Sequence, residues 1–306
     1  MTRTHASYRT RSLPADPGLS ARIGLTILLL AAVYALFVSV LWAAGGSVVL
    51  IAIVVAGLAM AQYFFSDRLV LAAMGAHGVT RAEAPELVDR VERLAAQFDL
   101  PMPRVAIIET DAPNALATGR DPSHSVIAVT TGILRLLNGA ELDAVLAHEL
   151  SHVRHRDAAV LTMAAVFATV ASFIVQMGFW LGLGGRDDRE GGGRPSIIVV
   201  YLVSIVVWLV SFLLIRALSR YRELAADRGS AIMTGAPSQL ASALVKISGA
   251  MERIPDADLR TVEGASALML VPAFSRQSLI GLLATHPSLD ARLAQLRRLE
   301  AQELAQ

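Results

Sequence analysis

The chain has 306 residues, 54% of them hydrophobic and 17% charged, and its 27 Lys and Arg nearly balance its 26 Asp and Glu for a net charge of +1. That balance excludes a basic nucleic-acid binder. The absence of cysteine excludes disulfides and thiolate ligands, so any metal must be held by His and carboxylates.

A bilayer core about 30 Å thick demands roughly 20 apolar residues of a helix, and four runs meet that demand. After a polar tail at residues 1–22, residues 23–65 contain no charge, and AAGG at 43–46 divides them into the two spans of a transmembrane hairpin. The first run exceeds the roughly 7–15 apolar residues of a cleavable signal and leads directly into another span, so it is read as retained. Residues 66–157 are more polar. There EAPELVDRVERLAAQFDL has apolar residues at Leu87, Val88, Val91, Leu94 and Ala95, the spacing of an amphipathic helix that packs on a core. PRVAIIET and SVIAVTTG read as short strands, and APNALATGRDPSHS between them as an irregular turn. ELDAVLAHELSHVRHRD, after the turn pair Asn138-Gly139, has no Pro or Gly and reads as a helix.

A second hairpin is expected at 158–215, with spans at 158–185 and 196–215 joined by the polar loop RDDREGGGR. Trp42, Tyr63 and Trp180 fall near span ends, where aromatic anchors belong. In the last segment, 216–306, SRYRELAADRGSAIM continues as helix until Gly229. PSQLASALVKISGAMER follows as a helix, with Ser238 as its cap after Pro237, and LDARLAQLRRLEAQELAQ as an amphipathic surface helix. Basic residues cluster in the tail (Arg3, Arg9, Arg11, Arg22) and after the last span (Arg216, Arg220, Arg222), whereas the second loop balances its arginines with acids. The positive-inside rule then places the tail, 66–157 and 216–306 in the cytoplasm. The competing reading of the four runs is buried core helices of a large soluble protein.

The chemistry is concentrated in His148, Glu149, His152 and His155. Residues four apart on a helix stand one turn above each other, about 6 Å along the axis, so His148 and His152 can converge on one ion. Glu149, about 100° around the axis, can reach a water at that ion as general base, the arrangement of H-E-x-x-H zinc hydrolysis. His155 lies about 10 Å along from His148 and cannot share the ion. A third ligand must come from elsewhere, since the other histidines are His5, His77, His124 and His286. Glu223 and Asp227, four apart in RELAAD, are candidates, Glu223 to bind and Asp227 to hydrogen-bond a ligand. The alternative is an ordinary helix face on which they pair with Arg220 or Arg228.

AHELSHVRHRD, RELAAD before a small-residue run, PNALATGR with SVIAVTTGIL, and THPSLDARL together resemble the HtpX-type membrane zinc metalloproteases, which are related more distantly to the CAAX prenyl endopeptidases. The resemblance runs from about residue 23 onward. It implies a mainly α multi-pass membrane protein, with four transmembrane helices and a zincin-like cytosolic catalytic domain that contains a small β-sheet. It implies one zinc ion on His148, His152 and Glu223, with Glu149 as general base, and places His286 and Arg292 at the cleft to stabilise an oxyanion. Asn114 and Ala115, with the strand of Val126 and Ala128, resemble the segment that pairs with an extended substrate by strand addition. The expected activity is ATP-independent cleavage of misfolded or damaged membrane proteins, a quality-control and stress-response role at the inner membrane, in cooperation with an ATP-dependent membrane protease. No G-x-x-x-x-G-K-[ST] motif is present. The alternative is a non-catalytic membrane scaffold with a vestigial zinc site, against which the intact Glu149 argues.

Overall fold

The computed structural model describes residues 16–45, 47–180, 197–251, 253 and 286–303. The tail before residue 16, the loop at 186–194 and the segment 261–278 lie outside the described residues.

The long apolar runs form helices. Among the described residues three are long and apolar enough to cross a bilayer: α1 (Pro17–Ala43), Asp157–Gln176 within α6 (Asp157–Trp180), and Ile198–Thr234 within α7 (Ile197–Thr234). Their mean hydropathies are 2.5, 2.3 and 2.9. α2 (Val48–Ala73) is a further helix, apolar over Val49–Phe65. Residues 17–66 and 159–221 form one compact unit. Leu30, Tyr34, Phe37, Ala171, Val207 and Leu218 are its buried core, with Tyr34 stacked on Phe167 at 4.6 Å. Leu28, Leu36, Ile53 and Val206 remain exposed, a surface suited to lipid and costly in water.

The second unit comprises residues 67–158 and the chain from Arg222 onward. It is built on a four-stranded sheet in the order β1-β2-β4-β3, with β1 (His77–Gly78), β2 (Arg104–Ile108), β3 (Ala115–Thr118) and β4 (Val126–Thr130). β2 runs parallel to β4; the two outer strands are antiparallel to their neighbours. All five residues of β4 are buried, as expected of an inner strand.

α3 (Pro85–Gln97) buries Leu87, Val88, Val91, Leu94 and Ala95, the residues its periodicity marked out. After the short α4 (Thr131–Leu136) comes α5 (Gly139–His155), which packs on β3, β4, α3 and α8 (Pro237–Met251). Against α8 lies α9 (Leu289–Glu303), which buries Leu296 and Leu299.

Three boundaries differ from expectation. The irregular turn contains β3 and a 3₁₀ turn at Pro122–His124. α7 does not stop at Gly229 but runs to Thr234, where Gly235 takes a left-handed φ of 60° and ends it. Pro237 is the first residue of α8, so Ser238 lies inside the helix rather than capping it.

Candidate metal centre

Helix α5 is fastened at its start. Asn138 caps it, its side chain accepting from the N–H groups of Ala140 and Glu141, while the Glu141 carboxylate accepts from the Asn138 N–H to complete a capping box. The same buried carboxylate accepts from Ser242 Oγ at 2.7 Å and Lys246 Nζ at 2.6 Å, tying α5 to α8. Burial pushes the Glu141 carboxyl up, but Lys246, Ser242 and the Asn138 N–H outweigh it and hold it below the ordinary value.

Two turns on, His148 is wholly buried and His152 partly so. Their rings meet edge to face, 4.8 Å between centroids, with Nε2 atoms 3.1 Å apart. Glu223 on α7 places Oε2 3.6 Å from His148 Nε2 and Oε1 3.4 Å from His152 Nε2. Small residues let the two helices approach so closely. A Cβ added at Gly229 would come 2.3 Å from Ser151 Oγ, and Ser230 Oγ donates to the Ala144 carbonyl at 2.6 Å.

A carboxylate stands at the far nitrogen of each imidazole. Asp227 Oδ1 is 3.0 Å from His148 Nδ1, and Asp157 Oδ2 is 2.7 Å from His152 Nδ1. Each favours a proton on Nδ1 and thereby leaves a lone pair on Nε2. Two such lone pairs facing each other at 3.1 Å beside a carboxylate repel unless a cation lies among them. A tetrahedral ion with bonds of about 2.0–2.1 Å to nitrogen separates its ligand atoms by about 3.3 Å. The donor atoms of His148, His152 and Glu223, all within 4.8 Å of one another, therefore fit a metal ion.

Asp227 is held by Arg292, whose Nε and Nη2 donate to it at 2.8 and 2.5 Å. Arg292 Nη1 lies 3.6 Å from Glu223 Oε2, and His286 Nδ1 3.2 Å from the same oxygen. All four side chains are buried. His286 and Arg292 thus join the cluster, although most of the Arg292 fork is committed to Asp227. Glu223 and Asp227 face the histidines, which removes the reading of an ordinary helix face.

Burial raises the Glu149 carboxyl above the ordinary range. The two histidines pull it down, Glu223 opposes them, and the Ala117 N–H of β3 donates to it. Burial pushes both histidines down, but Asp227 and Glu223 raise His148 and Glu223 raises His152 to a net upward shift.

Ala115 begins β3 and Asn114 directly precedes it. Val126 and Ala128 sit in β4, which is hydrogen-bonded to β2 on one side and β3 on the other, so that strand has no edge to offer a substrate. The edge beside Glu149 belongs to β3, the stretch read as a turn. His155 bonds Ser151 O at 2.8 Å and is not among the converging donors. Sequence alone gives no role at the site to Asp157 or Arg222, although Asp157 closes the quoted motif directly before the apolar span; nothing in the spacing says that it turns back on His152.

Residues 81–300 match the family described as Peptidase family M48. The chain is 59% identical over 292 residues to "Protease HtpX homolog" of Moorella thermoacetica, covering 95% of this chain and 97% of that one. It is 54% identical to "Protease HtpX homolog 2" of Methanosarcina acetivorans (93% and 96% covered) and 50% identical to "Protease HtpX homolog 1" of Streptomyces coelicolor (94% of each). The crystal structure of S. mikatae Ste24p aligns with 92% of this chain and 67% of its own, at 18% identity and a TM-score of 0.49.

Proposed function

The chain belongs to peptidase family M48, and as such is a membrane metalloprotease; we propose that it is an ATP-independent zinc endopeptidase that cuts cytosol-exposed segments of misfolded or damaged membrane proteins. The observation that carries this reading is the convergence of His148 Nε2, His152 Nε2 and the Glu223 carboxylate beside a buried Glu149.

His148, His152 and Glu223 would hold the zinc. Two neutral imidazoles and a carboxylate, without thiolates, suit a catalytic rather than a structural ion. Zinc supplies an electrophile for the scissile carbonyl and acidifies water near neutral pH. Glu149 takes the proton from the attacking water and returns it to the leaving amine; its burial brings its proton affinity nearer that task. His286, 3.2 Å from Glu223, would donate to a developing oxyanion. Arg292 and Asp227 keep His148 oriented. An extended substrate would add as a strand to the outer edge of β3, which carries no further strand among the described residues, next to Glu149, with Asn114 and Ala115 at its entry.

The setting belongs to the same reading. The apolar part of α2, Val49–Phe65, would be the fourth crossing. The excess of arginine at the tail and after residue 215 supports a cytoplasmic catalytic unit in a cell (inner) membrane. Cooperation with an ATP-dependent protease would hand over substrates this chain cannot unfold.

The test is cleavage of an unfolded protein by wild type and Glu149→Gln, each stripped by chelator and reloaded with zinc. Wild type cleaves and the variant is slower by about 10²–10⁴-fold. Absence of cleavage by zinc-loaded wild type would replace this reading with the scaffold one.

A further inference from the structure

Asp157 is a buried carboxylate, 5% exposed, that the reaction as described does not use. Its Oδ2 lies 2.7 Å from His152 Nδ1 and its Oδ1 is paired with Arg222, itself largely buried at the catalytic end of α7. In an uninterrupted helix a residue five positions on lies about 140° around the axis and 7.5 Å along it, out of reach of the first. The chain is interrupted here. α5 ends at His155, α6 begins at Asp157, and Arg156 between them takes φ 54°, ψ 41°, a left-handed conformation disfavoured for any residue with a Cβ. Among the described residues Arg156 and Asp99 are the two non-glycines with positive φ. The Arg156 N–H still closes the helix onto the His152 and Val153 carbonyls, so the kink is anchored at the ligand's own turn.

We infer that Asp157, turned back by the left-handed Arg156 and held by Arg222, is a positioning residue that keeps His152 with its proton on Nδ1 and its Nε2 toward the metal. This rests on the reading of His152 as a zinc ligand. The arrangement repeats what Asp227 and Arg292 do for His148, so each imidazole is aimed by a carboxylate that an arginine pins. The two carboxylates come from different elements: Asp227 from the helix of Glu223, Asp157 from the break after the histidine helix. Neutral Nδ1–H donation to a carboxylate raises the basicity of the ligating nitrogen and fixes the ring plane, and loss of such a partner characteristically weakens metal binding by about 10–100-fold.

A merely structural ion pair would act on folding and not on the metal, so the test separates the two. Zinc affinity is measured by competition with a chromophoric chelator on the detergent-solubilised full chain, and thermal melting of the chelated protein reports folding. Asp157→Ala raises the zinc Kd by about 10–100-fold. Asp157→Leu combined with Arg222→Met removes both charges while filling the space; it melts near wild type yet shows the same loss of affinity. Arg156→Gly, at ease with positive φ, leaves the Kd within about twofold, whereas the β-branched Arg156→Val weakens it. Wild-type affinity in the well-folded Leu/Met pair would overturn the inference and leave the metal centre standing. Failure of wild type itself to bind zinc would overturn the metal reading, and this inference with it.

Discussion

Glu141 shows how much of the site's support lies in single carboxylates away from the chemistry. It closes the capping box of α5 and accepts from Ser242 and Lys246 on α8, so it fixes the start of the helix that carries His148 and His152. Its carboxyl is held below the ordinary value of 4.5 in the folded protein. The ionised form therefore contributes stability that is fully present above the unfolded value and is lost as pH falls through the lowered folded value. Glu141→Gln should cost about 1–3 kcal/mol at pH 7. In thermal melts of the chelated protein the gap between wild type and variant closes as the pH falls through the lowered folded value; a gap that persists in acid would mean that shape rather than charge matters. At this scale the sequence was partly legible. His148, His152 and Glu149 follow from residue type and helical spacing, and Glu223 was a candidate that only the family resemblance singled out from an ordinary helix face, whereas Asp157 depends on one backbone angle at Arg156 that no pattern of side chains announces.

Among elements, the approach of α7 to α5 determines whether the third donor arrives. Gly229 meets Ser151 where no Cβ fits, so Gly229→Ala should destabilise the protein by about 1–3 kcal/mol through overpacking. Ser151→Ala, removing the nearer atom, should recover part of that loss in the double variant; full additivity of the two changes would show that the helices do not touch there. In sequence this glycine has the look of a stop signal, since a glycine after a helical run is the usual C-terminal mark. Burial against a neighbouring helix overrode that local rule. β3 failed for the opposite reason: ALAT has little β propensity, and it is a strand because β4 lies beside it. The edge nearest Glu149 was thus hidden in a stretch that looked like loop, while the hydrophobic β4 drew the substrate role it cannot fill.

At the scale of the whole molecule, hydropathy made the membrane class legible, because runs such as residues 17–43 have no other economical use. The fourth expected crossing falls in α2, whose apolar part includes Val49–Phe65. The absence of native cysteine makes orientation measurable without background. Ser47→Cys, in the turn after α1, should react with an impermeant maleimide in intact cells, and Ala301→Cys on α9 only after permeabilisation; the reverse pattern would turn the catalytic unit outward. The central claim, one zinc held by His148, His152 and Glu223 with Glu149 left to move protons, is tested most directly by metal content. Purified wild type and Glu149→Gln should each carry about one zinc per chain, and Glu223→Ala should carry almost none after the same dialysis. Full occupancy in Glu223→Ala would contradict the account, because the third donor would then have to come from elsewhere.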